Sequence, residues 1–288
     1  MRRISVSVIL LLTAVAVVLG VTVFLCTCAQ RKGEIMNDEA EAVPKTSINE
    51  LTVTVVYDNN PYGQGLETSW GFSAFITGPE KTILFDSGGD GSMLLRNMKK
   101  LEVEANSVDA VVLSHIHGDH TGGLSSFLEK NPDVTVYLPE SFPKRFKDKV
   151  RGYGARAVEV GEPMEICANV RSTGQLGKWI KEQALIIRTE KGLIVITGCA
   201  HPGIVNIVNA AKDLLKEDIL FVMGGFHLEW AGKGKIEKII SAFKELNVRY
   251  AGPCHCTGAK ARKLFEEHFG ENYINIGAGK VINLADLK

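Results

Sequence analysis

Ser114-His115-Ile116-His117-Gly118-Asp119-His120-Thr121-Gly122-Gly123 follows the apolar run Val111-Val112-Leu113 and packs three imidazoles and a carboxylate into six consecutive positions. The apolar run predicts a buried strand, which delivers the cluster rigidly to its carboxyl end. Gly118 lets the backbone bend there without a Cβ clash. His115 and His117, two residues apart, face the same side of an extended segment, so one ion can reach both. Asp119 and His120 fall where the chain turns, and address a second ion or the open side of the first. Such a density of ligand types beside a Gly-Gly helix entry is a metal-site pattern rather than a polar turn.

The remaining histidines extend the pattern. The chain holds seven, and six stand beside Gly, Pro or Cys at apparent strand ends. His201 follows Leu193-Ile194-Val195-Ile196-Thr197-Gly198-Cys199, His227 follows Ile219-Leu220-Phe221-Val222-Met223-Gly224-Gly225, and His255 lies in Gly252-Pro253-Cys254-His255-Cys256. Only His268, in a charged helical run, reads as an ordinary surface residue. Apolar strands that end in Gly and His bring distant ligands to one sheet edge, where open α/β architectures bind ligands.

Strand-like runs occur at 51–55, 71–76, 82–85, 110–113, 134–138, 157–160, 184–188, 193–197, 219–223 and 273–276. Two apolar stripes at helical spacing lie between them: Ile204, Ile207, Val208, Ala211 and Leu215, then Ile236, Ile239, Ile240, Phe243 and Leu246. Both are core faces of helices. Together these elements predict one α/β domain over residues 51–288, large enough for a substantial core.

Ahead of it, residues 4–29 carry no charge and are flanked by Arg2-Arg3 and Arg31-Lys32. That run is long enough to span a bilayer, which needs about 20 apolar residues. A cleaved signal peptide is the alternative, but its apolar part is normally shorter and ends in a small-residue site absent here. Residues 1–30 are therefore expected to form an N-terminal transmembrane helix, with 31–50 as a polar tether. The slight excess of positive charge at the amino terminus orients the catalytic domain outside the cytoplasm, as a single-pass membrane protein. The balance of 33 basic against 33 acidic residues offers no polyanion-binding face, so nucleic acid is excluded as a partner. Of the six cysteines, Cys199, Cys254 and Cys256 crowd the histidines, which favours ligand or core roles over disulfides. Oligomeric state is not legible.

The histidine-rich decapeptide, with Leu84-Phe85-Asp86-Ser87-Gly88 before it, resembles the motifs of metallo-β-lactamase-fold proteins. More narrowly, Thr197-Gly198-Cys199-Ala200-His201-Pro202-Gly203-Ile204, Gly224-Gly225-Phe226-His227-Leu228 and Pro253-Cys254-His255-Cys256-Thr257-Gly258 resemble the branch of 7,8-dihydropterin-6-yl-methyl-4-(β-D-ribofuranosyl)aminobenzene 5'-phosphate synthases. The likeness spans residues 51–284. It implies a four-layered αβ/βα sandwich and one or two divalent ions: zinc foremost, with manganese, iron and magnesium as alternatives. By position, His115, His117 and His201 would hold one ion, and Asp119, His120 and His255 the other.

This chain departs from the superfamily pattern in two places. The usual Thr-Gly-Asp is Thr197-Gly198-Cys199, and the usual intervening histidine is absent, with Glu182-Gln183 near its place. The second departure makes Gln183 a candidate substrate contact. Cys199 is either a thiolate ligand or a small residue filling space, and the second is favoured because His201 already supplies a ligand and Gly198 can turn the thiol away. Asp86, at a strand end, is expected to accept the free N–H of a ligating imidazole. His227 is the candidate acid or phosphate contact, with Phe226 as an apolar platform beside it and Asp119 as a proton relay.

A bound divalent ion lowers the pKa of its water toward ~7 and makes a hydroxide nucleophile. The expected function is therefore metal-dependent hydrolysis of a small phosphorylated or ester substrate. The branch resemblance implies an alternative, a transferase that joins a dihydropterin methyl diphosphate to ribofuranosyl-aminobenzene phosphate. Those substrates are cytosolic anions, so that activity requires a domain facing inward. A non-catalytic, membrane-displayed metal or ligand sensor is the third possibility. Redox chemistry would need a carboxylate-rich di-iron shell and a flavin domain, and neither is present.

Overall fold

The computed structural model describes residues 45–47 and 49–287. The expected anchor and most of the tether lie outside them, and no helix among the described residues is long and apolar enough to cross a membrane. In chain order the elements are β1 (Thr52–Asp58), β2 (Phe72–Thr77), β3 (Ile83–Phe85), α1 (Gly91–Lys100), β4 (Ala110–Val112), α2 (Gly118–Thr121), α3 (Leu124–Lys130), β5 (Thr135–Pro139), α4 (Lys144–Gly152) and β6 (Arg156–Val160). Then follow β7 (Met164–Cys167), β8 (Val170–Ser172), β9 (Leu185–Thr189), β10 (Gly192–Thr197), α5 (Ile204–Leu215), β11 (Ile219–Gly225), α6 (Lys233–Glu245), β12 (Tyr250–Cys254), α7 (Ala259–Phe269) and β13 (Val281–Asn283).

Among the described residues the strands form two sheets, in the orders β13-β1-β2-β3-β4-β5-β6 and β12-β11-β10-β9-β8-β7. Alternation along the strands explains the layering. Ile83 and Phe85 pack between the sheets while Leu84 points to the helices; Ile194 and Ile196 likewise point inward, and Leu193 and Val195 outward. Three apolar clusters result, one between the sheets and one beneath the helices on each outer face. Strands buried on both faces are why these runs read as continuously apolar.

Four differences from the sequence-based expectation have local causes. Residues 273–276 are not a strand: Ala251–Tyr273 is an isolated bridge, and the Arg262 guanidinium donates to Ile276 O (2.7 Å) and Asn275 Oδ1 (2.8 Å), occupying an acceptor a ladder would use. β12, ahead of His255, is missing from the strand-like runs; it contains Gly252-Pro253, and as an edge strand it tolerates the proline. The short hairpin β7–β8 carries Glu165 opposite Arg171, side chains that gave no apolar signal. β13 is three residues long and is recognisable only by its antiparallel pairing with β1.

Strands β3 to β6 run parallel in one sheet and β10 to β12 in the other. Asp86, His115, Cys199, the segment after β11 and His255 therefore emerge from the carboxyl ends of β3, β4, β10, β11 and β12.

Candidate metal centre

The segment after β4 bends at Ile116 and, from an extended His117 at the N-cap, closes into the single-turn helix α2. This brings His115 and His117 to one side and lifts Asp119 and His120 to the other. The turn after β10 supplies His201 to the first pair. His115 Nε2 lies 3.1 Å from His117 Nδ1, and His201 Nε2 lies 3.2 Å from each of them. Ligand nitrogens on a tetrahedral zinc are about 3.3 Å apart, given bonds of about 2.0–2.1 Å.

Hydrogen bonding alone does not account for that triangle. Ser114 Oγ donates to Asp86 Oδ2 (2.7 Å), so its oxygen accepts from His115 Nδ1–H (2.9 Å). The Nε2 lone pair of His115 is then directed at two other ring nitrogens, a convergence that suits a cation. Two further rings are fixed in the same sense. His120 Nδ1–H donates to Asp86 Oδ2 (2.7 Å) and His255 Nδ1–H to Asn59 Oδ1 (2.9 Å), which turns both Nε2 atoms, 3.2 Å apart, toward the same space, where each offers a lone pair once its proton is displaced. Asp119 Oδ2 lies 3.5 Å from His120 Nε2 and 3.3 Å from His255 Nε2. The structure thus assembles the groups His115/His117/His201 and Asp119/His120/His255 that the family pattern implies.

Cys199 belongs to the second group, which corrects the expectation that Gly198 turns it away. Its Sγ is 3.1 Å from His120 Nε2. Gly198 acts differently: a Cβ there would lie 2.1 Å from Ser114 Oγ, so glycine lets the turn rest directly against the Ser114–Asp86 pair. Ala200 then adopts φ 59°, which returns the chain toward the centre. Asp86, His227 and His255 also have positive φ, so four of the eight such non-glycine residues among those described cluster here. Strained backbone of this kind concentrates at functional sites.

The electrostatics favour a cation. Burial works against a charged His120, but the Asp86 and Asp119 carboxylates overcome it and raise its pKa to about 10, so the site holds positive charge here as a proton that an entering cation would displace. Burial also disfavours the charged form of Asp119, yet its hydrogen bonds with His120 and His255 hold its pKa below the usual carboxylate range. Burial and neighbouring imidazoles depress His115 strongly and bring His201 to about 4, leaving lone pairs free for an ion.

Two other expected contacts are elsewhere. Gln183 is buried, donating to Leu113 O (2.8 Å) and Tyr137 O (3.3 Å) and accepting from Ser172 Oγ (2.5 Å). It stitches the two sheets together behind the histidine motif and does not face the opening. Phe226 is buried against Phe243 and Phe265 beneath the helices, because alternation at the end of β11 turns it inward. His227 follows in a left-handed turn (φ 55°) that leaves it exposed, its ring 4.6 Å from that of His201. A hydrogen bond with Cys256 raises the His227 pKa.

Glu182 is the residue that sequence reasoning left without a role. Fully buried, it accepts from Thr197 Oγ1 (2.9 Å) and from the N–H groups of Cys199 (2.9 Å), Ala200 (2.8 Å) and His201 (2.8 Å). One carboxylate thereby fixes the turn that presents Cys199 and His201. Asp86 plays the matching part for the histidine motif, since it also accepts from Ser114 N at 2.7 Å. Asp86→Asn cannot serve all these donors, and metal affinity is expected to fall roughly 10–100-fold. Competition with a chromophoric chelator measures this; an unchanged affinity removes Asp86 from that role.

Two cavities open beside the centre. One, about 690 Å³, is bounded by Lys178, Trp179, His201 and Pro202; the other, about 380 Å³, by Trp70, His227, Trp230, Lys235 and Cys256. All three tryptophans of the chain stand here, Trp179 and Trp230 more than nine-tenths exposed, and Trp70 with its ring 4.9 Å from His255. The loops that carry them have no periodicity, so the rim was not legible.

Residues 71–233 match the family described as the metallo-beta-lactamase superfamily. The sequence is 30% identical over 269 residues to the 7,8-dihydropterin-6-methyl-4-(beta-D-ribofuranosyl)-aminobenzene-5'-phosphate synthase of Methanocaldococcus jannaschii, covering 78% of this chain and 92% of that protein. Tm1679, described as a metal-dependent hydrolase of the beta-lactamase superfamily, aligns with a TM-score of 0.68 at 30% identity, over 81% of this chain and 98% of its own. The metallo-beta-lactamase fold protein YhfI of Bacillus subtilis aligns with a TM-score of 0.61 at 16% identity, over 81% and 99%, a likeness of fold alone.

Proposed function

This chain belongs to the metallo-beta-lactamase superfamily and is an enzyme, and we propose that it hydrolyses a small phosphorylated or ester-bearing substrate with the help of one or two divalent cations. The observation that carries this is the convergence of acceptor atoms from both sheets, with three imidazole tautomers set by Ser114, Asp86 and Asn59. His115, His117 and His201 would hold one ion, and Asp119, His120, Cys199 and His255 a second. Zinc suits this mixture of imidazole, carboxylate and thiol donors. When bound, such ions polarise a phosphoryl or carbonyl oxygen and make water nucleophilic near neutral pH.

The chain's own groups supply the rest. His227 borders the cavity, and the hydrogen bond with Cys256 favours its protonated form, so when its ring binds no ion it can donate to a leaving-group oxygen. Lys178 and Lys235, one in each cavity wall, offset the charge of an anionic substrate. Cys256 and the apolar faces of Trp70 and Trp230 limit water on the His227 side.

A second reading is a transferase that joins two ring-bearing substrates, as the name of the M. jannaschii relative indicates for that protein. Two adjoining cavities, each with a tryptophan face and a lysine, support it, because exposed tryptophans stack on planar rings. The discriminating experiment assays the zinc-supplemented protein against phosphomonoesters, phosphodiesters, lactones and the pterin–aminobenzene pair. Release of phosphate or alcohol from a single substrate supports hydrolysis; diphosphate release that requires both ring compounds supports transfer. In either case Trp179→Ala and Trp230→Ala are expected to raise KM roughly 2–10-fold with kcat little changed. An unaltered KM in both variants takes the rim out of substrate binding.

A further inference from the structure

Cys199 Sγ, Cys256 Sγ and a ring nitrogen of His227 lie within 4.8 Å of one another. They come from the turns that follow β10, β12 and β11, three neighbouring strands of one sheet. Both cysteines are buried free thiols, while His227 is exposed and, with Cys256, borders the 380 Å³ cavity, so an ion has a route in. The backbone makes room for the sulfur: a Cβ at Gly225 would lie 2.7 Å from Cys256 Sγ. Cys256 Sγ donates a long hydrogen bond to Cys199 O (3.7 Å), a weak contact that an ion would replace. None of the superfamily ligand positions accounts for either Cys256 or His227.

We propose that Cys199, Cys256 and His227 form an additional site for a thiophilic divalent cation such as zinc or cadmium, sharing Cys199 with the Asp119/His120/His255 group. Thiolates select such ions over magnesium or calcium. In a tetrahedral zinc site, sulfur ligands stand about 3.8 Å apart and sulfur and nitrogen about 3.5 Å apart, given Zn–S and Zn–N bonds of about 2.3 and 2.0 Å. The three atoms, within 4.8 Å of one another, lie within about 1 Å of that spacing. Two thiolates balance the charge of one divalent ion, each losing its proton as the ion enters. The three donors leave a fourth position toward the cavity, as in sites that exchange water or substrate. A thiolate shared by two ions would couple this site to the histidine centre.

The test is a cadmium titration of the chelator-stripped, fully reduced protein, followed through the ultraviolet thiolate-to-cadmium absorption. In the wild type the amplitude is expected to correspond to two thiolates. Cys256→Ser is expected to lower it to about half and remove one cadmium equivalent. His201→Ala, which alters the other group, is expected to leave the amplitude intact. Peptide-resolved alkylation of the wild type gives a readout independent of any variant: bound cadmium is expected to protect Cys199 and Cys256 together. A full amplitude in folded Cys256→Ser, or equal alkylation of Cys256 with and without cadmium, overturns the proposal and leaves Cys199 as a ligand of the Asp119/His120/His255 group only.

Discussion

His117→Ala is expected to abolish the metal-dependent activity and to cost the purified protein one metal equivalent while the domain stays folded. The ring of His117 is only partly buried. Its structural work at the start of α2 is done by its backbone oxygen, which accepts from His120 N and Thr121 N at 3.1 Å each and survives truncation of the side chain. What disappears is the nitrogen that stands 3.1 and 3.2 Å from His115 Nε2 and His201 Nε2. Losing a direct ligand should reduce affinity by more than the roughly 10–100-fold that follows loss of an outer hydrogen-bond partner. Metal analysis with a thermal melt checks both halves; wild-type metal content in the variant sinks the assignment of His117 as a ligand.

Glu182→Ala is expected to damage the fold itself. It strands three buried N–H groups and the Thr197 hydroxyl that the carboxylate now satisfies. Each unmade buried hydrogen bond costs about 1–3 kcal/mol, so the four together come to about 4–12 kcal/mol. That is a large share of the roughly 5–15 kcal/mol that holds a typical domain together. At roughly 2–4 °C per kcal/mol for a domain of this size, Tm is expected to fall by about 10 °C or more. Glu182→Gln keeps one acceptor oxygen and the same shape, so it is expected to remain folded with weakened metal binding, because the Cys199–His201 turn loosens first. A melting temperature unchanged in Glu182→Ala would mean that water or relaxation replaces the carboxylate.

The histidines were legible because each stands at the end of an apolar strand beside Gly, Cys or Pro, a local pattern that survives without knowledge of the fold. Asp86 was legible for the same reason. Glu182 was not, since a carboxylate that binds backbone N–H groups 17 to 19 positions away leaves no periodic trace. The aim of Cys199 depends on the positive φ of Ala200, a conformation that composition does not announce. Phe226 and His227 illustrate the same limit at one step of the chain: read as a loop, both face the substrate, but β11 runs to Gly225, its alternation sends the phenylalanine into the core, and the left-handed turn at His227 leaves the histidine exposed. In the fold, the long apolar strands announced themselves, whereas of β12 only the end marked by His255 did, its body being interrupted by a proline that its place at the sheet edge permits.

The central claim is that divalent ions occupy the convergence of acceptor atoms at the strand ends. Anomalous scattering at the zinc edge from crystals of the zinc-reconstituted protein tests it most directly. The expected map has one peak bounded by His115, His117 and His201 and another among Asp119, His120, Cys199 and His255. A zinc-loaded crystal with no anomalous density at either position, or with zinc bound only elsewhere on the molecule, would contradict the account.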